Sequence, residues 1–285
     1  MILSDMVHLF IAVAPRYGQS FQQYFLGTFI MPWTFSHPAA VFPLRKLPGG
    51  KLLNLPALVV GSLSPDFFYS IMQYKLAATS HHLLGWFYTA FPLCLLIFFI
   101  VRLLSSPLSN LFPLSFSPYV KQGYKEKAIF VLSLYIGAIT HIAWDAFTHE
   151  TGFFVKLFPL LQSRIFHFIA DGQGIGIYKI LQHLSSLLGL LYLVTKYWQY
   201  QKKLAPAIQA KNKVKLYRLL GIGFISGFLT LPVALFLSWE ISGIDIKRLT
   251  FLELTLSVPV FLIVLIIIAV WNACFMPMKD RANQR

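Results

Sequence analysis

Three ionisable side chains are spaced four residues apart in the run THIAWDAFTHE. His141, Asp145 and His149 read as H-x-x-x-D-x-x-x-H. Four residues turn an α-helix by about 400°, so the three side chains would share one face. A histidine and a carboxylate one turn apart can hold the same divalent ion, as in helix-borne zinc sites. The pattern predicts a metal site; the alternative is a hydrogen-bond ladder in which Asp145 fixes the tautomers of its histidines.

Further ionisable residues lie in or beside the apolar segments of the chain. A charged group at mid-bilayer costs about 2.5–3.5 kcal/mol on insertion scales, so such residues usually face a bundle interior and pair or bind something. Asp66 follows a proline at a predicted helix break, where its ordinary role would be that of a turn residue. We predict one shared metal site. Its candidate ligands are His37, Asp66, His81, His141, Asp145, His149 and His183.

Three of these histidines have open alternatives. His81 and His82 are adjacent at the head of an apolar segment, and periodicity does not say which of them faces inward. His183 could form only an interhelical hydrogen bond, which is routine between membrane helices. His37 can join the others only if residues 33–46 form a half-helix that dips into the bundle and 55–66 return beside it. Such irregular backbone is allowed in a membrane where protein buries it.

The composition indicates which elements must position these residues. Hydrophobic residues make up 57% of the 285 residues, and charged residues make up only 12%. That charged share is half of the about 25% usual for soluble domains, so the chain is predicted to be a membrane protein. Both cysteines, Cys94 and Cys274, lie in apolar runs. This excludes a disulfide framework and a Cys-rich zinc site.

Apolar segments of about 20 residues can cross a bilayer, and six segments qualify. The first is interrupted by Ser64-Pro65-Asp66 and could instead be a half-helix that ends at Pro65, since the residue before a proline resists helical geometry. The predicted fold is an all-α polytopic membrane bundle of about six transmembrane helices, with an N-terminal half-helix as an additional element. The predicted spans are Leu55–Met72, Leu83–Leu104, Ala128–Phe147, Ile177–Trp198, Tyr217–Trp239 and Phe251–Phe275.

The basic residues predict the orientation of this bundle. With both termini cytoplasmic, the inner segments hold 17 of the 24 Lys and Arg residues and the outer segments hold 6. This excess obeys the positive-inside rule, and the basic loop Lys196–Arg218 contributes most to it. The net charge of +14 is therefore a topology signal. Anionic lipid headgroups explain it better than nucleic acid does, and the predicted location is the cytoplasmic (inner) membrane.

The chain is predicted to form one membrane domain with an extension at each end. Residues 1–30 are too polar to span and lack the basic start of a signal peptide, so they are either a loosely held extension or precede a functional start at Met31. The predicted units are an extension at 1–30, a membrane domain at 31–275 with its motifs in 37–183 and scaffold helices in 217–275, and a basic cytoplasmic tail at 276–285.

Five runs of the sequence carry a family resemblance. They are MPWTFSHPAAVFPL, GSLSPDFFYS, SHHLLGWF, HIAWDAFTHETGFFV and YKILQHLSSLLGL. Together they resemble a bacterial integral membrane family, domain-of-unknown-function family 4184, over about Met31 to Leu190. In that family the second-span motif looks like one histidine followed by Ser-Leu-Leu-Gly. The resemblance favours His81 as the functional histidine, with His82 in place of the serine.

A more distant resemblance concerns the order of the motifs. An N-terminal His, then Pro-Asp, His and H-x-x-x-D is similar to the membrane-bound metal-dependent hydrolases and to zinc-dependent phospholipase C. The resemblance implies that one or more divalent ions are bound. The implied ligands are His37, Asp66, His81, His141 and Asp145.

The leading functional hypothesis is a metal-dependent hydrolase that acts on a lipid or lipid-linked ester near the outer leaflet. A bound zinc ion, the favoured cofactor, lowers the pKa of water to about 7 and polarises a phosphoryl or carbonyl oxygen. Asp66 or Asp145 would serve as ligand or as base. The alternatives are a transporter or proton relay and a structural protein with hydrogen-bonded histidines. Transporters usually show paired halves, whereas the ionisable residues here crowd into residues 37–183.

Overall fold

The computed structural model describes most of the chain. The described residues are 34–114, 123–166 and 174–275. The predictions for residues 1–30 and for the basic tail 276–285 lie outside them. In the described part the secondary structure is helical apart from two short strands, β1 (Arg164–Ile165) and β2 (Ile175–Gly176), which pair antiparallel. The prediction of a mostly helical fold is confirmed.

Short helices dominate the first half of the described chain and long helices the second half. The α-helices are α1 (Val41–Leu44), α2 (Leu55–Leu63), α3 (Tyr74–Ser80), α4 (Gly85–Tyr88), α5 (Ala90–Leu103), α6 (Ser105–Leu111), α7 (Tyr124–Thr148), α8 (Phe153–Leu157), α9 (Pro159–Gln162), α10 (Ile177–Gln201), α11 (Pro206–Ser242) and α12 (Ile246–Phe275). The 3-10 helices are Thr34–Ala40, Gly50–Leu52, Ser64–Asp66 and Tyr69–Ile71.

Four helical segments of the described chain are long and apolar enough to cross a membrane. They are Tyr124–Leu157, which joins α7 to α8, Ile177–Gln201, Pro206–Glu240 and Arg248–Phe275. Each contains one of the last four predicted spans. By length and composition, these helices are those of a membrane protein.

The first two predicted spans take another form. Helix α2 has nine residues and a length of about 13 Å, which is too short to cross a bilayer of about 30 Å. It ends at Leu63, before Pro65, so the half-helix alternative describes this segment. The span predicted at Leu83–Leu104 is divided between α4 and α5, and α5 meets α6 at a bend of 84°. The described residues hold four candidate spans, or five if the bent pair is one span, so the predicted count of six is not confirmed.

The N-terminal part of the described chain forms a helical hairpin. The 3-10 helix Thr34–Ala40 and α1 lead into a turn at residues 45–54, and α2 returns beside them. Asn54 caps α2, and its N–H donates to the hydroxyl of Ser133 on α7 at 2.9 Å. His37 is 1% exposed on this hairpin. His37 could be a candidate ligand only if residues 55–66 returned beside the segment that carries it, and the structure has this arrangement.

Helix α2 crosses α7 at short range because both helices carry glycine at the crossing. A Cβ atom added at Gly61 would collide with the carbonyl oxygen of Leu134, and one added at Gly137 would collide with the backbone of α2. Close crossings through small residues are typical of membrane helices. The crossing sets the end of α2 against the half of α7 that carries His141.

The last two long helices, α11 and α12, pack along each other. Ala234, Phe251 and Leu252 form a buried apolar cluster between them. The hydroxyl of Thr230 donates to Oε1 of Glu253 at 2.9 Å across the pair. All of the candidate ligands predicted from the sequence lie on earlier elements.

Candidate metal centre

Side chains from four separate segments meet beside the C-terminal half of α7. They are His37 from the first 3-10 helix, Asp66 from the turn after α2, His81 from the end of α3, and His141 and Asp145 from α7. Nε2 of His81 lies 3.3 Å from Asp66 Oδ1 and 3.5 Å from Asp145 Oδ2. Nε2 of His141 lies 3.5 Å and 3.1 Å from the same two oxygens. We call these five residues the His–Asp cluster.

These separations are those of ligands that share one ion. Two atoms that each lie about 2.1 Å from a cation, at angles of about 90–110°, are about 3.0–3.4 Å apart. The four nitrogen–oxygen distances span 3.1–3.5 Å, which is longer than the about 2.7–2.9 Å of a charge-assisted hydrogen bond. Two overlapping triads have all their ligand atoms within 4.8 Å of one another. They are His37, Asp66 and His141, and His81, His141 and Asp145.

Several buried polar atoms of the cluster have no hydrogen-bond partner. The rings of His37 and His141 stack with centroids 3.8 Å apart, and both residues are 1% exposed. Among the described residues, no group hydrogen-bonds to either ring nitrogen of His37, to Nε2 of His141 or to Oδ1 of Asp145. Buried polar atoms in proteins are nearly always hydrogen-bonded. The donor set of imidazole nitrogens and carboxylate oxygens therefore fits a divalent cation.

Backbone carbonyls fix the orientation of two of the histidines. Nδ1 of His141 donates to the carbonyl of Ser62, and Nδ1 of His81 donates to the carbonyl of Ala77, both at 2.7 Å. A carbonyl only accepts, so in the neutral rings the proton is on Nδ1 and the Nε2 lone pair faces the carboxylates. Hydrogen bonds of this kind orient the histidines of metal sites.

The two carboxylates also favour positive charge at His81, which lies outside the four candidate spans. Burial lowers the pKa of His81, but the carboxylates of Asp145 and Asp66, 3.5 and 3.3 Å from its Nε2, outweigh burial and raise the pKa to about 9. A proton and a metal ion would therefore compete for the same nitrogen, as they do at metal sites in general.

The turn that carries Asp66 is held from two sides. The indole N–H of Trp86 donates to the hydroxyl of Ser64 at 2.8 Å. The hydroxyl of Ser80 donates to the carbonyl of Pro65 at 2.6 Å. These bonds tie the Pro-Asp turn to α3 and α4, so Asp66 is both a turn residue and a member of the cluster.

His149 lies at the edge of the cluster and orients Asp145. Its Nδ1 lies 3.3 Å from Asp145 Oδ1, and its Nε2 lies 3.2 Å from the amide nitrogen of Gln182. The amide donates to Nε2, so the proton of a neutral His149 is on Nδ1, which lies 3.4 Å from the hydroxyl of Thr148 and near the carboxylate. Both ring nitrogens are then engaged. We therefore place His149 beside the cluster rather than among the ligands, and the ladder interpretation applies to this residue.

In two pairs of adjacent residues, the structure shows which side chain faces inward. Gln182 is 4% exposed, whereas His183 is exposed on another face of α10. One residue turns a helix by about 100°, which separates the two side chains. The structure therefore does not bring His183 to the cluster. At the other pair, His81 faces the carboxylates and His82 is exposed.

The family comparison covers the whole cluster. A family model described as Domain of unknown function (DUF4184) matches residues 31–276. The chain belongs to the DUF4184 family. No curated protein and no solved structure gives a match. The predicted family is confirmed, while the distant resemblance to hydrolases and to phospholipase C stays a prediction.

Sequence reasoning missed three residues that shape the site of this DUF4184 protein. Gln182 belongs to a buried stripe with Ser186 and Gly189 on α10, and this spacing of four and three residues was a signal that it faces inward. Gly61 and Gly137 set the distance between α2 and α7. The sequence signal for this close crossing was Gly137, a small residue one turn before His141 on α7.

Replacing Gln182 by Leu in the DUF4184 protein should weaken metal binding about 10–100-fold, the usual effect of losing an outer-shell partner. The physical reason is that His149 loses its donor and no longer fixes Asp145. The matched control is His183→Leu, the next residue, which is exposed and should leave metal affinity unchanged. Competitive titration with a chromogenic chelator measures both. Equal affinities in the two variants would show that Gln182 does not position the cluster.

Proposed function

We propose that the His–Asp cluster binds a divalent cation, zinc being the favoured ion, and that the protein is a hydrolase for lipids or lipid-linked esters. The observation that carries this proposal is the set of orphaned buried atoms on His37, His141 and Asp145. They converge with Asp66 and His81 at the separations of a coordination shell.

The exposure of the ligands defines an open edge. The side chains of His37 and His141 are 1% and 0% exposed, and that of Asp66 is 8% exposed. Those of Asp145 and His81 are 14% and 23% exposed. A substrate would reach the cluster from the side of His81 and Asp145, while the other three ligands form its closed base.

When bound, a divalent ion would activate water and polarise a phosphoryl or carbonyl oxygen. In hydrolysis the water oxygen bonds to phosphorus or to the carbonyl carbon, the bond to the alcohol breaks, and the alcohol oxygen takes a proton. Asp145 is better placed than Asp66 to move that proton. Its side chain lies at the open edge, 14% exposed against 8% for Asp66, and its Oδ2 faces His81 and His141.

The arrangement favours an enzyme over a proton relay. A relay would string ionisable groups across the membrane, as they line ion paths in pumps and transporters. Here the five side chains gather around one point beside the last turns of α7. A purely structural role is less favoured because hydrogen-bonded structural histidines would not leave buried nitrogens without partners.

The membrane and the orientation are part of the proposal. The excess of Lys and Arg in the predicted inner loops supports a location in the cytoplasmic membrane with both termini cytoplasmic. Membrane lipids would then be the partners of the chain, and the cluster would lie toward the outer leaflet, because it is at the end of α7 opposite to Lys125 and Lys127.

Purified protein should carry near-stoichiometric zinc, manganese or iron by elemental analysis. His81→Ala should lose most of that metal, while the matched His82→Ala, one exposed residue further, should retain it. The physical reason is that, of these two adjacent histidines, His81 faces the two carboxylates and His82 does not. Metal-free protein with an intact fold would contradict the metal site.

The hydrolase assay is a separate measurement. Detergent-purified protein should release fatty acid or a phosphorylated headgroup from lipid esters, and chelation should abolish the release while re-addition of the metal restores it. A metal-loaded protein that is inactive on carboxylic and phosphoric lipid esters would contradict the hydrolase and keep the metal site.

A further inference from the structure

Residues 153–165 follow the end of α7 and therefore come soon after the cluster along the chain. The apolar run of α7, Ala128–Phe147, has 20 residues and a length of about 30 Å, which is the full hydrocarbon thickness of a bilayer. The candidate span extends to Leu157, but a bilayer filled by this apolar run would leave the residues beyond Thr148 past the hydrocarbon core. We call residues 153–165, which contain α8, α9 and β1, the rim segment.

The rim segment exposes large apolar side chains although it lies beyond the core. The exposed fractions are 66% for Phe153, 55% for Leu157, 47% for Phe158 and 70% for Leu160. A contiguous apolar surface of this kind marks an interaction site in a protein. We therefore expect another molecule to cover this apolar surface.

The rim segment is folded against the bundle. Its Val155 is fully buried, and the carbonyl of Val155 accepts a hydrogen bond from the side chain of Gln162 at 2.9 Å. The ring of Phe154 stacks on that of Phe147 on α7, with centroids 4.0 Å apart. The apolar surface is thus held at a fixed position relative to α7.

Charge identifies what covers this surface. Lys156 and Arg164 are exposed on the same segment. Apolar side chains combined with Lys and Arg, at the level where a spanning helix leaves the hydrocarbon, are the features of segments that lie in the interface of an anionic bilayer.

We propose that the rim segment lies in the headgroup region of an anionic bilayer and holds the open edge of the His–Asp cluster at that level. Asp145 and His149 flank Phe147, whose ring the rim segment covers. The substrate would then be a bilayer lipid whose headgroup reaches the cluster while its acyl chains stay in the membrane. This last step rests on the proposed hydrolase, whereas the position of the rim segment does not.

Spin labels on single cysteines measure the position of the rim segment. The background is Cys274→Ser, because Cys94 is buried and Cys274 is exposed. The labelled position is Phe158→Cys. Leu188→Cys, exposed near the middle of α10, is the deep control, and Ala207→Cys at the start of α11 is the aqueous control. Each variant is reconstituted in vesicles of phosphatidylcholine and phosphatidylglycerol, and its collisions with oxygen and with a water-soluble nickel chelate are compared.

The label at Phe158→Cys should show a depth between those of the two controls. A label as accessible to the nickel chelate as that at Ala207→Cys would overturn the proposal, because the segment would then lie in water. A motionally restricted label that neither reagent reaches would also overturn it, because protein would then cover the surface.

A second variant tests the substrate. Phe153→Ser combined with Phe158→Ser should lower turnover of vesicle lipid several-fold while leaving metal content and turnover of a short-chain soluble ester unchanged. An equal loss on both substrates would overturn the role of the rim segment in lipid access. A protein without bound metal would instead end the hydrolase proposal and leave the depth measurement valid.

Discussion

Asp145→Asn should abolish stable metal binding. The substitution keeps the size of the side chain but removes the charge that faces His81 and His141 at 3.5 and 3.1 Å. Loss of an outer-shell residue alone costs about 10–100-fold in metal affinity, so loss of a charged ligand should cost at least as much. Elemental analysis after dialysis against a weak chelator measures the effect. The control is Glu240→Gln, an exposed carboxylate at the end of α11, which should retain the metal.

The same variant separates the metal site from a hydrogen-bond ladder. In a ladder, Asp145 would be one partner of buried ion pairs, and removing it would destabilise the fold by about 3–5 kcal/mol. In a metal site, added zinc stabilises the parent protein by mass action, and the Asn variant loses that increment. Thermal unfolding in detergent, with zinc and with excess chelator, gives the comparison for both proteins. A parent protein whose unfolding temperature does not respond to zinc would favour the ladder.

Local periodicity predicted the part of the site that lies on one helix. His141 and Asp145 share a face of α7 because their spacing matches the helical period, and the structure places both in the cluster. The helix break before Asp66 was also predictable, since Ser64 precedes a proline. These features depend only on residues within a few positions of each other, so they can be read from the sequence.

The long-range pairing of helices was not predictable in the same way. The bond from His141 to Ser62 joins residues 79 positions apart, and it forms only because α2 and α7 cross where both carry glycine. The sequence shows small residues on each helix but does not say that these two helices meet. The inclusion of His37 stayed conditional for the same reason.

The sequence also did not show which of two adjacent residues on α10 faces inward. The sequence predicted His183 as a candidate ligand, with an interhelical hydrogen bond as the alternative. The helix buries Gln182 instead, since Ser186 and Gly189 continue its face. At the membrane ends, length alone also misled, because Leu83–Leu104 is long enough to span. Pro107, in the first turn of α6, has no N–H to donate to the carbonyl of Leu103, and α5 ends at that residue.

Gly61→Ala should disrupt the site from outside the cluster. A Cβ atom at this position would collide with the backbone carbonyl of Leu134 on α7, and a backbone atom cannot rotate away as a side chain can. Overpacking of this kind typically costs about 1–3 kcal/mol. The displacement of α2 would also move the carbonyl of Ser62, which holds His141 at 2.7 Å. We expect a lower unfolding temperature together with weaker metal binding.

Gly221→Ala is the matched control, because no atom lies within 4 Å of a Cβ placed at this position on α11. There the same substitution adds only helix propensity, which favours alanine over glycine by about 0.8–1.0 kcal/mol. The two variants should therefore shift stability in opposite directions, and only Gly61→Ala should lose metal. If Gly61→Ala kept the parental unfolding temperature and full metal occupancy, the close crossing of α2 and α7 would not be what positions the His–Asp cluster.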